Sequence, residues 1–191
     1  MKRIRAIFFL SLMLICALAS QAQDGGKCAA KLAQLGQGPE LYGLHMGMTA
    51  EQVKARVPSI EMGFTDASGL SKTSFSPEFH PAMDKAAWAG ARTISLEFLD
   101  GRVTALRIAY NGSFKWKTME EFVPMMSRVL GLPVAWHQRP RGGQQLDCSD
   151  FQVVAQMIGG SPSIQITDET ARQTWEDRQA TAAEEEEKSA P

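Results

Sequence analysis

Residues 93–110 read TISLEFLDGRVTALRIAY, two runs of alternating apolar and polar residues on either side of Asp100-Gly101. Alternation with a period of two is the pattern of a strand with one buried face, and Asp-Gly between two such runs is a strong turn signal. The stretch therefore predicts an antiparallel hairpin. A hairpin of this kind between two helical patterns indicates the α+β class.

The register of this hairpin follows from which side chains it buries. A two-residue turn pairs Ile94 with Arg107, whereas a three-residue turn over residues 99–101, with glycine in a bulge, pairs Ile94 with Leu106. Because a shift of one residue turns every side chain to the opposite face, we predict the three-residue turn, which keeps Arg107 out of the core. The apolar face then carries Ile94, Leu96, Phe98, Leu106, Ile108 and Tyr110.

Two amphipathic helices flank the hairpin. Thr49 with Gln52, and Thr118 with Glu121, have the spacing of a capping box, in which each end of a four-residue unit bonds the backbone of the other. We therefore predict two helices packed on one face of a mainly antiparallel sheet. Alternation predicts further strands over residues 60–64, 70–75, 134–138, 145–158 and 163–167.

The helix entries also indicate an internal repeat. Thr49 recurs 69 residues later as Thr118, within matching surroundings. This offset divides a domain over residues 41–168 into tandem αβ repeats, 41–110 and 111–168. Chance agreement between two capped helices is the alternative explanation.

The N-terminal segment predicts a cleavable secretory signal over residues 1–22. Three basic residues precede an uncharged run over residues 6–19, which is too short for a stable membrane span. Cleavage is expected after Ala22, or alternatively after Ala19, and bulky residues before Cys16 disfavour a lipid-modified cysteine. The mature protein is therefore expected in the periplasm or secreted, with no membrane span.

Signal removal leaves two cysteines, Cys28 and Cys148. In an oxidising compartment an even pair predicts a disulfide, with two free thiols as the alternative. His45, His80 and His137 have no ligand spacing with the cysteines, so no metal site is predicted.

The charged residues are unevenly distributed along the chain, and their distribution argues against nucleic acid as a partner. The full chain has 20 basic and 21 acidic residues, and removal of the three basic residues of the signal gives a net charge of −4. Residues 176–191 carry six acidic and two basic residues, so the remaining body is neutral. A neutral body argues against nucleic acid as a partner. We expect residues 23–40 to be a polar lead-in and residues 169–191 an acidic, largely disordered tail, with a short helix over residues 170–179 as an alternative for its first part.

No catalytic or cofactor-binding arrangement emerges from the sequence. Asp147 and Asp150 fall on opposite faces of a strand, and phosphate-cradling glycine motifs are absent. We therefore predict that the protein is not an enzyme and needs no cofactor. The aromatic side chains that could form a contact surface, with core filling as the alternative, are Phe114, Trp116, Trp88 and Trp136.

Residues 41–53 read LYGLHMGMTAEQV, a strand pattern followed by Gly-Met-Thr and a capped helix. This segment resembles the helix entry of the SmpA/OmlA family, the BamE-like outer-membrane assembly lipoproteins, and the related repeats of the β-lactamase inhibitor protein. The resemblance implies helices on one face of an antiparallel sheet and a role in protein binding. Membrane anchoring is not implied, because no lipid-attachment cysteine is expected.

These observations favour an exported, non-catalytic protein-interaction module of a bacterial envelope, with another envelope protein as its partner. A periplasmic small-ligand-binding protein with a concave sheet face is the alternative. A pocket with a buried histidine or aspartate would favour the ligand binder or an enzyme, and a flat exposed aromatic patch would favour the interaction module.

Overall fold

A computed structural model of the chain describes residues 28–189, so the predicted signal segment, residues 1–22, lies outside the described residues. The helices are α1 (Ala50–Arg56), α2 (Met119–Leu130) and α3 (Glu169–Ser189), with single 3₁₀ turns at Leu32–Gln34 and Pro39–Leu41. The strands are β1 (Leu70–Phe75), β2 (Ala91–Leu99), β3 (Arg102–Tyr110), β4 (His137–Gln138), β5 (Gln144–Asp147), β6 (Phe151–Ile158) and β7 (Ser161–Asp168).

The described strands form one antiparallel sheet in the order β1-β2-β3-β7-β6-β5-β4. The predicted α+β class with a mainly antiparallel sheet is therefore confirmed. At the centre β3 pairs with β7, from Ala105 opposite Thr167 to Ala109 opposite Ser163. Each half of the chain thus supplies a helix followed by strands, and the last strand of each half lies at the middle of the sheet. This order is the one that tandem repeats would give, and the repeat itself stays a prediction.

The predicted three-residue turn of the β2–β3 hairpin is wrong. Leu99 pairs with Arg102, so the tip is the two-residue turn Asp100-Gly101, where φ is +52° and +76°. Both values suit the type I′ turn that matches the twist of the strands. The extra residue lies instead within β3 at Thr104, which the pairing skips. This bulge keeps Arg107 on the polar face, so the predicted apolar face is correct although the turn is not.

The helices α1 and α2 lie on the apolar face of the sheet. In α1 the Thr49 hydroxyl accepts from the Gln52 backbone N–H and the Gln52 side chain accepts from the Thr49 N–H, as the sequence predicts. In α2 the ring of Phe122 packs 5.6 Å from that of Tyr110 on β3. The largest fully buried side chains are Tyr110, Phe98, Phe122, Phe151, Leu41, Leu44, Ile94, Leu96, Leu106, Ile108, Met126 and Leu130.

The prediction of two helices on one face is wrong in number and in placement. A third helix, α3, occupies the segment expected to be a largely disordered acidic tail, and it lies on the opposite, polar face of the sheet. Its helix is stabilised internally, because Arg172 bonds Glu169 one turn before it and Glu176 one turn after it. Neither interaction requires the apolar stripe on which the sequence prediction of helices depended.

Two further strand predictions are corrected by the structure. Residues 60–64 form no strand, and Phe64 is 91% exposed. The segment instead runs beside β1, where the Thr73 hydroxyl donates to the Glu61 carbonyl at 2.6 Å. Residues 145–158 are two strands, because the chain turns back at residues 148–150 between β5 and β6.

The disulfide between Cys28 and Cys148 is confirmed and fixes the N-terminal segment to the β5–β6 turn. Beside it, the Ser149 backbone N–H donates to the Ala30 carbonyl, and the Leu32 N–H donates to the Asp150 carboxylate at 2.7 Å. The described part of the lead-in, residues 28–40, is thus a packed part of the domain.

A buried carboxylate lies beneath the apolar face, at Glu40. Its Oε1 is 2.7 Å from the Lys115 Nζ, and the Tyr110 hydroxyl donates to the Glu40 carbonyl at 3.0 Å. The Glu40 side chain is 6% exposed, whereas that of Lys115 is 58% exposed. Its Oε2 has no partner among the described residues, so the lysine is the group that compensates the buried charge.

Both tyrosines of the sequence lie in this region, and they predict a loss of stability in alkali. Burial, followed by the charge of Glu40, raises the pKa of Tyr42 to about 12, and burial raises the pKa of Tyr110 further. The unfolded chain begins to lose these protons near pH 10, before the folded chain does. Stability should therefore be fully present below about pH 10 and fall as the pH rises further, because the unfolded state then binds fewer protons.

Absorbance near 295 nm tests this prediction, because every tyrosinate signal comes from these two residues. We expect little ionisation in the folded protein at about pH 11, and its appearance together with loss of the far-UV circular dichroism signal. Normal titration of both tyrosines while the fold is intact would contradict the burial described here. Tyr42→Phe should leave one late-titrating group.

Candidate functional site: the polar face of the sheet

The polar face is the surface of the sheet opposite α1 and α2. Side chains on it alternate with core side chains along every strand, so the same period that builds the core also builds this surface. From β1 to β5 in spatial order it consists of Lys72, Ser74, Thr93, Ser95, Glu97, Ala105, Arg107, Ala109, Ser163, Gln165, Thr167, Gln152, Val154, Gln156, Gln145 and Asp147. Apart from the part beneath α3, no described element lies across it.

Arg107 lies at the centre of the polar face. It is exposed, and its guanidinium donates twice to the Oε1 of Gln165 on β7, from Nε at 3.0 Å and from Nη2. Its nearest neighbours on β3 are Ala105 and Ala109, and Ser95 lies opposite on β2. The arginine is therefore held in place by an uncharged amide and surrounded by small side chains.

Ion pairs occupy the two ends of the polar face. At the β1–β2 end, the Lys72 Nζ lies 2.9 Å from the Glu97 Oε1. At the far end, the His137 Nε2 lies 3.4 Å from the Asp147 carboxylate, which also accepts from the side chain of Gln152. The charge of Lys72 is thus compensated within the sheet, whereas the central arginine has no acidic partner among the described residues.

A groove of about 420 Å³ separates α3 from the polar face. Trp175 of α3 packs over it opposite Glu97 and Thr167, and its indole N–H is buried without a hydrogen-bond partner among the described residues. An unsatisfied buried donor costs about 1–3 kcal/mol. The burial of the Trp175 N–H therefore lowers the free energy that α3 gains from its contact with the sheet.

Arg178 connects α3 to the turn of the β2–β3 hairpin through hydrogen bonds. Its guanidinium donates to both oxygens of Asp100, at 2.9 and 2.8 Å, and to the Ser68 carbonyl at 2.8 Å. The hydrogen bond from Arg178 lowers the pKa of Asp100. Because this pKa is lowered, the contact is present above about pH 3.9, the usual pKa of the residue, and is lost as the pH falls through the lowered value.

Arg178→Ala should therefore release α3 without unfolding the core. Amide hydrogen exchange should accelerate across α3, whereas exchange in β3 and β7 should be unchanged, because no core side chain contacts Arg178. Lys188→Ala, on the same helix, is the control, since Lys188 bonds only Glu184 one turn away. Equal protection of α3 in both variants would show that the Arg178 contact does not hold the helix.

The four aromatic residues predicted as a contact surface do not form one in this structure. Trp88, Phe114 and Trp116 are buried in the core cluster, and Trp136 is partly buried with its indole N–H donating to the Ser127 hydroxyl at 2.7 Å. Phe114 and Trp116 do meet, with ring centroids 5.5 Å apart. Core filling, the alternative that the sequence allowed, describes these side chains.

The titratable residues considered as candidates for chemistry are dispersed. Asp147 faces the polar surface, whereas Asp150 bonds the N-terminal segment. The His80 Nδ1 is buried without a hydrogen-bond partner in the part of the chain that the structure describes. Within residues 28–189, no group of three or more His, Cys, Asp or Glu side chains is arranged to hold a metal ion. None of the helices in that range has the length and apolar character needed to cross a membrane.

Comparison with protein-family models, with curated proteins and with solved structures finds no match for this chain.

Sequence reasoning missed Arg107 and Trp175 as features of a site. The hairpin pattern did place Arg107 opposite the core, but it gave no sign that the surface around it would be left open. Trp175 lies in the segment expected to be a disordered tail, where a lone tryptophan among polar residues was the one signal of a contact.

Proposed function

We propose that this chain is an exported, non-catalytic protein-interaction module of a bacterial envelope. The observation that carries the proposal is the open polar face, with an exposed arginine at its centre and small side chains around it. Arginine is enriched among the residues that dominate binding energy at protein interfaces. The signal-like N-terminus and the disulfide support export. The resemblance of residues 41–53 to protein-binding families supports the same role.

The size of the polar face fits a protein partner. Seven strands spaced about 4.8 Å apart give a width of roughly 29 Å, and strands of eight residues give a length of roughly 25 Å. The whole face, including the part beneath α3 and the short outer strands, is therefore at most on the order of 700 Å², below the surface of about 800 Å² that each partner contributes to a standard protein–protein interface. The part that α3 leaves open is smaller, so it fits a protein interface at the small end of the range.

Affinity capture tests this function. The mature chain, bearing a tag, is expressed in the producing bacterium, crosslinked in the cells, and purified with its partners. A second form that ends at residue 168 removes α3 together with its acidic residues. We expect one specific envelope protein to be enriched with the full-length form. If no protein is recovered while a small molecule co-purifies, the proposal is wrong.

Small-ligand binding is a second candidate, favoured by the groove between α3 and the polar face. Its volume of about 420 Å³ lies within the range of ligand pockets. Native mass spectrometry of the protein purified from its source would reveal a bound small molecule as an added mass. Trp175→Ala should then remove that mass, because Trp175 lines the groove.

A further inference from the structure

We propose that the polar face docks an acidic segment of its partner protein, with a partner carboxylate bound by Arg107. The inference rests on the proposed function and specifies the chemistry of the partner. It depends on three properties of the described residues: the hydrogen bonds of the arginine, the surroundings that give access to it, and the charges that lie near it on the face.

The Arg107 guanidinium has more N–H donors than its contact with Gln165 uses. A guanidinium carries five N–H groups in a planar fork. Nε and Nη2 are directed to Gln165, so three N–H groups have no partner among the described residues. No carboxylate of residues 28–189 forms an ion pair with it. The bond to Gln165 also fixes the guanidinium before binding, which reduces the entropy lost when a partner binds.

The surroundings of Arg107 leave room for a partner. Ala105 and Ala109 precede and follow it on the same face of β3, and Ser95 lies opposite on β2. None of these side chains is long enough to cover the guanidinium. A carboxylate can therefore approach in the plane of the fork, the geometry in which arginine binds carboxylates with two parallel hydrogen bonds.

Arg107 is the cation of the polar face that has no acidic partner among residues 28–189. Lys72 pairs with Glu97, and the carboxylates of Glu169 and Glu176 on α3 bond Arg172. Asp147 lies on β5, three strands from Arg107. An acidic group on a partner would thus meet an uncompensated cation at the centre. The same arrangement disfavours a basic partner, because like charges in contact are repulsive.

Site-specific photocrosslinking in the producing bacterium tests the inference. A photoreactive phenylalanine analogue replaces Ser95, next to Arg107, or Gln156, two strands away, and for comparison Glu120 on the outer side of α2. All three sites are at least partly exposed. We expect products from the first two sites, and mass spectrometry should map them to a segment rich in Asp and Glu. Arg107→Gln should reduce their yield at least tenfold.

The matched control is Arg102→Gln, the same substitution at an exposed position of the same strand. Arg102 donates to the Gly47 carbonyl, away from the centre of the polar face, so this variant should crosslink normally. Circular dichroism must show that both variants fold. A synthetic peptide of the captured segment should bind the purified protein, and changing its carboxylates to amides should abolish binding.

The other outcomes are each decisive. Products from residue 120 alone would leave the proposed function standing and overturn the docking face. Products that map to residues 184–187 of a second copy of this chain would overturn docking of a foreign partner. Crosslinks that persist in Arg107→Gln, or that map to a segment without acidic residues, would overturn the role of the arginine. No product from any of the three sites, while affinity capture still recovers a partner, would overturn the docking face and leave the proposed function standing; no product and no captured partner would contradict both proposals.

Discussion

Replacing Cys28 and Cys148 together by serine is expected to lower the free energy of unfolding by about 4–5 kcal/mol. The disulfide joins residues 120 positions apart, so it removes a large part of the conformational freedom of the unfolded chain. It also holds residues 28–40 against the β5–β6 turn, together with the hydrogen bonds described above. A decrease of this size is comparable to the whole stability of a marginal domain.

Urea-induced unfolding, followed by circular dichroism, measures this effect. Ser149→Ala is the control, because Ser149 contacts the lead-in through its backbone N–H, which the substitution retains. Wild-type protein in reductant should behave like the double variant. A stability loss below about 1 kcal/mol would show that the lead-in is held by its other contacts and that the disulfide is secondary.

Lys115→Met is expected to lower the free energy of unfolding by about 3 kcal/mol, because it leaves the buried carboxylate of Glu40 without a counter-charge. Lys72→Met provides a matched control. Lys72 forms an ion pair of similar length, but with both side chains largely exposed, and such pairs contribute at most about 1 kcal/mol. Burial of the carboxylate is therefore the variable that distinguishes the two substitutions.

Chemical denaturation of both variants tests this difference. Adding Glu40→Gln to Lys115→Met removes the uncompensated charge and should recover part of the lost stability. Equal losses in the two lysine variants would mean that the Glu40 pair is no more important than a surface pair.

The apolar half of the fold could be read from the sequence, because periodicity reports burial directly. Periodicity predicts the apolar face of the β2–β3 hairpin. The capping-box spacing predicts the capped starts of α1 and α2, and the chemistry of an oxidising compartment predicts that the cysteines pair. Periodicity does not predict the turn at Asp100-Gly101. A bulge at Thr104 and a longer turn place the same side chains in the core, so burial alone does not distinguish them.

The polar half of the fold could not be read in the same way. In α3 the stabilising contacts include charge pairs within the helix, the bonds of Arg178 and the packing of Trp175, and none of them leaves an apolar stripe in the sequence. For the aromatic residues the sequence prediction was wrong in the opposite direction, because it placed buried side chains on the surface. Trp88 and Trp116 were considered for a surface because their segments looked like loops, but these segments pass beneath the apolar face and enter the core.

The position of the disulfide imposes an order of events on synthesis. A chain leaves the ribosome from its N-terminus, so Cys28 emerges well before its partner. The bond cannot form until residues as far as Cys148 have followed, and the central strand pairing of β3 likewise waits for β7. The segment that carries Cys28 is therefore made early and fixed late. Until then the chain lacks both its covalent link and the strand pairing that joins its halves.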